Sequence, residues 1–239
     1  GEYKRSVESF DAAGNRSAQS EVLSLVIDRQ APAAATAVDL LQSSDTFDNV
    51  AGLSGPRGTN SDDITRLSQP ALFGLAEANA KVRVYANGAL VGQGVVGSDE
   101  SDTSLGGAID DNIGIWEITT EPLADGVYAI TVGLEDLAGN TTLSQTLLTI
   151  TIDTLSPQRP TINLLAADDT GASRLDDVTN RTNDVPLVIT AEPGSRVLVK
   201  NGETVIDDFV MPAASTVRPY TLLLDGEYKL SAEAFDLAG

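Results

Sequence analysis

Aspartate is the residue this chain repeats wherever chemistry could be done. It heads three small-residue turns: Asp11 in DAAGN (11–15), Asp136 in DLAGN (136–140) and Asp236 in DLAG (236–239). It closes two strand-like runs, as Asp28 in LSLVID and Asp153 in LTITID. It recurs in polar loops as Asp45, Asp62, Asp63, Asp169, Asp176 and Asp177. Crowded carboxylates repel: two at ~4 Å cost roughly 4 kcal/mol at an effective dielectric near 20. A divalent cation turns that cost into a ligand set, and Ca²⁺ takes roughly six to eight oxygens from Asp, Asn and backbone carbonyls. Histidine is absent, which removes the commonest general base and the commonest transition-metal ligand. Against 35 acidic side chains stand 15 basic ones, a net charge of −20 that repels nucleic acid and anionic membrane surfaces. The same charge also serves plain solubility. Cysteine is absent as well, so there is no disulfide framework, a usage that suits a bacterial surface protein or a cytosolic one. No apolar run is long enough for a membrane-spanning helix.

The elements that must position these aspartates repeat. GEYKRSVESFDAAGN from Gly1, GVYAITVGLEDLAGN from Gly126 and GEYKLSAEAFDLAG from Gly226 align turn on turn. LSLVIDRQAP (23–32) matches LTITIDTLSP (148–157), and LLQSSDT (40–46) matches LLAADDT (164–170). DDIT (62–65) matches DDVT (176–179), and AEANAKVRVYANG (76–88) matches AEPGSRVLVKNG (191–202). Each unit reads as short strands of period-two alternation between Gly, Asn, Asp and Pro turns. Tyr128, Ile130, Val132 and Leu134 form one inward set; Tyr228, Leu230, Ala232 and Ala234 form its counterpart. Asn87-Gly88 marks a hairpin tip. The D-G-x-Y patterns at 125–128 and 225–228 suit the corner entering strand F, where a Tyr hydroxyl ties down the loop. The fold class is all-β: tandem immunoglobulin-like β-sandwich domains in an elongated array. Residues 1–29 read as the last strands, F and G, of a preceding domain. Residues 30–153 read as a complete domain with insertions near 47–61 and 97–112. Residues 154–239 read as a domain lacking its last strand. The opening GEYKRSVESF reads as mid-strand, so the chain is expected to be a segment of a longer array.

Laid on sandwiches, the aspartates sort into layers at the domain ends. Asp45, Asp62, Asp63 and Asp153 gather at the lower end of the first domain, where Asp236 in the F–G turn of the second meets them. Asp28 and Asp136 make the equivalent set one junction earlier. Asp169, Asp176 and Asp177 make it at the free lower end, open to a turn such as that of Asp11 in another copy. Two readings follow: Ca²⁺ ligation at the junctions, or ordinary Asx turns and solvated loop charges. Under the first, Asn15 or Asn140 caps its turn or reaches the ion, and Gly in D-x-A-G-N supplies positive φ. The acidic stretch 97–112 reads as a solvated loop.

The combined pattern D-G-x-Y…D-x-A-G-N…I-D-x-x-x-P, followed by D-T and D-D-[IV]-T, resembles the bacterial immunoglobulin-like repeats of giant surface adhesins. The resemblance covers both main units and the leading fragment. It implies type I secretion to the bacterial cell surface and a stalk in which Ca²⁺ stiffens the junctions between neighbouring repeats. It also implies a part in cell adhesion or biofilm formation, with any host-cell or biofilm surface engaged through another region. The ligand positions it implies are Asp28, Asp136, Asp45, Asp62, Asp63, Asp153, Asp236, Asp169, Asp176 and Asp177. The first domain departs from the pattern by inserting residues between SSDT and DDIT, which separates Asp45 from Asp62. Trp116 fits a core position on strand E.

Two other function classes have weaker footing. A direct carbohydrate- or protein-binding module would need exposed aromatics on loops; only the first domain's insertions, with Phe47, offer a place. An enzyme running on paired carboxylates would need a unique constellation of nucleophile, base and orienting group, and these acids recur at repeat boundaries instead. No enzyme activity, nucleic-acid partner or membrane insertion is expected.

Overall fold

The computed structural model describes residues 1–46, 61–98, 112–170, 172–222 and 224–238. Every regular element among them is a strand. Contacts divide the chain into two compact units. The first comprises Gly1–Val38, Phe73–Ile118 and Ala129–Leu148; the second comprises Asp39–Leu72, Thr119–Tyr128 and Thr149–Gly239.

The first two strands, β1 (Glu2–Arg5) and β2 (Leu23–Val26), pair antiparallel with Glu2 opposite Val26. Both are exposed along their whole length. The next repeat supplies β3 (Thr36–Leu40), β4 (Ile64–Thr65), β5 (Ala71–Glu77), β6 (Lys81–Ala86), β7 (Ala89–Val95), β8 (Ile113–Thr119), β9 (Gly126–Glu135), β10 (Thr141–Leu143) and β11 (Leu148–Ile152). Their sheets run β3–β5–β8 and β4–β11–β9–β6–β7, with β10 on β9. The last repeat supplies β12 (Thr161–Leu164), β13 (Val185–Thr190), β14 (Arg196–Asn201), β15 (Thr204–Val210), β16 (Ser215–Tyr220) and β17 (Leu230–Phe235), in sheets β12–β13–β16 and β15–β14–β17.

The first unit's core follows from alternation. Val82 and Val84 of β6 and Ile130, Val132 and Leu134 of β9 are buried, while intervening residues are partly open. The expected inward phase of strand F is therefore the observed one. Trp116 on β8 is buried against Gly74 of β5, whose absent Cβ would lie 2.7 Å from Trp116 Cζ2. Glycine there is a packing requirement. The β6–β7 hairpin turns on Asn87 (φ 50°) and Gly88 (φ 83°), the paired positive φ values of a tight primed turn.

The second unit holds a core of Leu164, Val185, Leu187, Ile189, Val197, Val199, Phe209, Met211 and Tyr220. Leu230, Ala232 and Ala234 of β17 pack against it in the expected phase but stay only partly buried. The reason is topological: among the described residues β17 pairs on one side only, with β14. Both D-G-x-Y corners form. Tyr128 Oη donates to Ala124 O at 2.9 Å and Tyr228 Oη to Leu224 O at 2.8 Å.

Candidate cation site at the repeat ends

The D-x-A-G-N turns are built alike. Asp136 Oδ1 accepts from Ala138 N (2.9 Å) and Asn140 N (2.8 Å), and Asn140 Nδ2 donates to Asp136 Oδ2 at 2.8 Å. Asp11 repeats this with Ala13 N (2.9 Å), Asn15 N (2.8 Å) and Asn15 Nδ2 (2.7 Å). Gly14 and Gly139 both stand at φ 89°, where a side chain would be strained. The Asn hydrogen bonds hold both carboxyls below the usual range. At these two positions the carboxylate thus folds its own turn, and Asn15 and Asn140 are caps. Asn140 Nδ2 also lies 3.5 Å from Asp28 O, and Thr142 Oγ1 donates to Pro32 O at 2.6 Å, which fastens the connection after β2 to the turn. Asp28 Oδ1 accepts from Gln30 N at 3.0 Å.

The second unit brings a different group together. Asp45 is only 3% exposed, and its Oδ1 has no hydrogen-bond partner. Burial, with Asp62, Asp63 and Asp39 nearby, pushes its carboxyl up to about 6; the Asp63 amide, donating to it, works the other way. Asp63 is also raised, by burial first and then by a shared hydrogen bond and repulsion with Asp39. Asp63 stands at φ 60°, an uncommon conformation for a non-glycine. Asp62 Oδ1 caps Ile64 N at 3.2 Å. The Asp153 amide donates to Thr65 O at 2.9 Å, setting the end of β11 beside β4. Thr46 Oγ1 donates to Ala238 O at 2.8 Å, so the loop of Asp45 and Thr46 meets the turn that Asp236 heads.

The lower end of the last repeat has the same design. Asp169 is buried with Oδ1 unpartnered, and Asp177 N donates to its Oδ2 at 3.3 Å. Asp177 stands at φ 55°, the counterpart of Asp63. Asp176 accepts from Val178 N (3.4 Å) and Ser173 N (3.2 Å), and both Asp176 and Asp177 are exposed. Arg66 N donates to Thr46 Oγ1 (2.8 Å) as Asn180 N does to Thr170 Oγ1 (3.0 Å).

Asp39 escaped the sequence reading. Extending the LLQSSDT/LLAADDT match by one residue sets it against Asn163, and both side chains bond the next backbone amide, at Leu40 and Leu164. The insertion stretches 47–60 and 99–111, on which a ligand-binding module would rest, lie outside the described residues.

Among the described residues no three acidic side chains are grouped as a ready metal-holding set. The donor chemistry nonetheless suits a hard cation. A buried carboxylate oxygen without a donor is costly, and Ca²⁺ accepts backbone carbonyls and waters alongside one or two carboxylates. Asp45 Oδ1 and Asp169 Oδ1 are the oxygens on which such an ion would rest.

A family model described as a bacterial Ig-like domain matches residues 54–154 and 156–239. No curated relative matches the sequence. Among solved structures, the fibronectin(III)-like modules of Clostridium thermocellum CbhA are 14% identical, covering 81% of this chain and 87% of theirs at a TM-score of 0.37. A tetra-tandem repeat in the extending region of a large adhesion protein is 17% identical, covering 99% of this chain and 57% of its own at a TM-score of 0.31. The family match spans well over half of the sequence in two consecutive copies, and on it the chain belongs to the bacterial Ig-like domain family.

Proposed function

We propose that this chain is a spacer segment of a bacterial surface adhesin, stiffened by Ca²⁺ held where one repeat meets the next. Asp45 carries the reading: a buried carboxylate with one unpartnered oxygen, among Asp39, Asp62 and Asp63, in a loop that touches the Asp236 turn. Without a cation the repulsion there opposes the ionised form; with one, the same charges become ligands. Asp153, at the end of β11, supplies a further acid to that end, and Asp169 with Asp176 and Asp177 offers the next junction the same arrangement. The family assignment and the repetition of the design support a mechanical role over a cleft-based one. In this reading the repeats lie outside the cell and serve adhesion or biofilm formation by distance and stiffness, with recognition left to other parts of the protein.

Small-angle X-ray scattering of the chain in millimolar Ca²⁺ and then in chelator tests it. The expected result is a longer, better-defined particle with Ca²⁺ and a flexible profile in chelator. Superimposable profiles would leave the aspartates as loop and turn residues only.

A further inference from the structure

Asp125 opens the first D-G-x-Y corner, yet the tyrosine bond that closes this corner does not use its side chain. The carboxylate reaches instead to the residue that follows Asp153. Asp125 Oδ1 accepts from Thr154 N at 3.0 Å and from Thr154 Oγ1 at 2.8 Å. One step on, Asp153 Oδ1 accepts from Leu155 N at 3.2 Å. The Asp153 amide itself donates to Thr65 O at 2.9 Å. The backbone leaving β11 thus has three successive amides held by the repeat it is leaving. Asp125, Thr154 and the last repeat all belong to the second compact unit.

The rest of the connection to β12 is stiffened by its own sequence. Residues 154–160 are TLSPQRP. Pro157 and Pro160 have ring-locked φ. Ser156 and Arg159 each precede a proline and are steered to extended backbone. With Thr154 and Leu155 held by carboxylates, only Gln158 has neither restraint. The prolines set the shape of the connection but not the direction in which it starts. That direction is decided at Thr154, where one oxygen from a residue 29 positions earlier takes both the backbone and the hydroxyl donor. We infer that Asp125 is a positioning residue. It fixes how the connection leaves the first complete repeat, and so limits bending between the 119–128 corner and the last repeat without any cation. The inference goes beyond the Ca²⁺ reading and stands apart from it, since every bond lies within the chain. Asp125 and Thr154 are both exposed, and two bonds to a carboxylate in such a place amount to about a tenfold preference for the pinned connection.

The test uses the whole chain. It has no cysteine, so spin labels on E121C and E203C mark two exposed positions of the second unit and no others. Double electron–electron resonance reads the distance distribution between them, in chelator and again in millimolar Ca²⁺. In chelator, Asp125→Ala should raise the ratio of broad to narrow component about tenfold over the otherwise unchanged labelled chain. Asp125→Asn keeps an acceptor and should recover most of the narrow component. Thr154→Val removes the hydroxyl but spares the corner, and should broaden the distribution part of the way; Thr154→Ser should leave it narrow. The inference is overturned if Asp125→Ala is as narrow as the parent chain in chelator. It is overturned equally if Asp125→Ala broadens and Thr154→Val does not, which would place the fault in the corner and not in the connection. A parent chain of equal width in chelator and Ca²⁺, with Asp125→Ala broad in both, would uphold the clamp while counting against the ion. A parent chain that narrows only in Ca²⁺ and matches Asp125→Ala in chelator would overturn the clamp and leave the ion standing.

Discussion

Replacing Asp45 with Asn separates a cation ligand from a structural acceptor. The side chain is buried, and its carboxyl is pushed up to about 6 from an ordinary 3.8, by burial first and then by neighbouring carboxylates. A shift of about two pH units at ~1.36 kcal/mol each makes ionised Asp45 a burden of about 3 kcal/mol on the ion-free fold at neutral pH. The folded-state value lies above the unfolded one, so the folded chain holds the proton longer. Stability therefore falls as pH rises from about 4 to about 6 and is flat above. Asn has nearly the same shape, can still accept from the Asp63 amide and carries no charge. In chelator at pH 7 Asp45→Asn should stabilise the second unit, which holds Asp45, by about 2–3 kcal/mol, roughly 5–10 °C in midpoint. Calorimetry of the whole chain reads this transition, while Trp116, the chain's only tryptophan, is buried in the first unit and reports on that unit. Acidification from pH 7 to 5 should raise the wild-type midpoint in chelator and scarcely move the variant's. Asp63, raised by burial and Asp39, leaves a residual slope of the same sign. Millimolar Ca²⁺ should raise the wild-type midpoint and leave the variant's nearly still. A variant destabilised equally in chelator and in Ca²⁺ would refute the reasoning and make Asp45 a loop-fastening acceptor.

Other outcomes follow from packing and pairing. Gly74→Ala drives a Cβ to 2.7 Å from the Trp116 ring, and overpacking of this kind costs about 1–3 kcal/mol, read as a lower denaturant midpoint with altered Trp116 emission. Arg196 is buried and grips Asp208 through two bonds of 2.8 Å; Asp208→Ala removes both and should destabilise the last repeat by about 3 kcal/mol in calorimetry. Asp207 is drawn upward by burial but held lower by Arg218 and Tyr220, so its stabilising effect is present above pH 4 and lost as pH falls through its folded value; Arg218→Ala should flatten that acid limb. Tyr228→Phe removes the hydroxyl bond to Leu224 O and should cost about 1 kcal/mol, with no effect on the Trp116 transition.

Features with a local signature were legible in the residues alone. Period-two alternation set the inward face of β9 and β17, because successive side chains of a strand must point to opposite sides. Asn87-Gly88 set a hairpin, and each Tyr two residues after Asp-Gly set a corner, because these depend on a few consecutive residues. The repeat itself was legible because its turns need Gly and Asp at fixed places.

Tertiary structure decided which aspartates are turn-builders and which are stranded. Asp11 and Asp45 are the same residue type in similar polar company. Asp11 closes on its own turn within five residues, whereas Asp45 is buried by segments distant in sequence and left with an oxygen unpartnered. Asp39 joined that group only through folding, since β3 delivers it to Asp63 from two dozen residues away along the chain. The left-handed backbone at Asp63 and Asp177 was equally invisible beforehand, for nothing in the residue type demands it. Burial and long-range neighbours set the charge state of a carboxylate, and neither is a property of the local sequence.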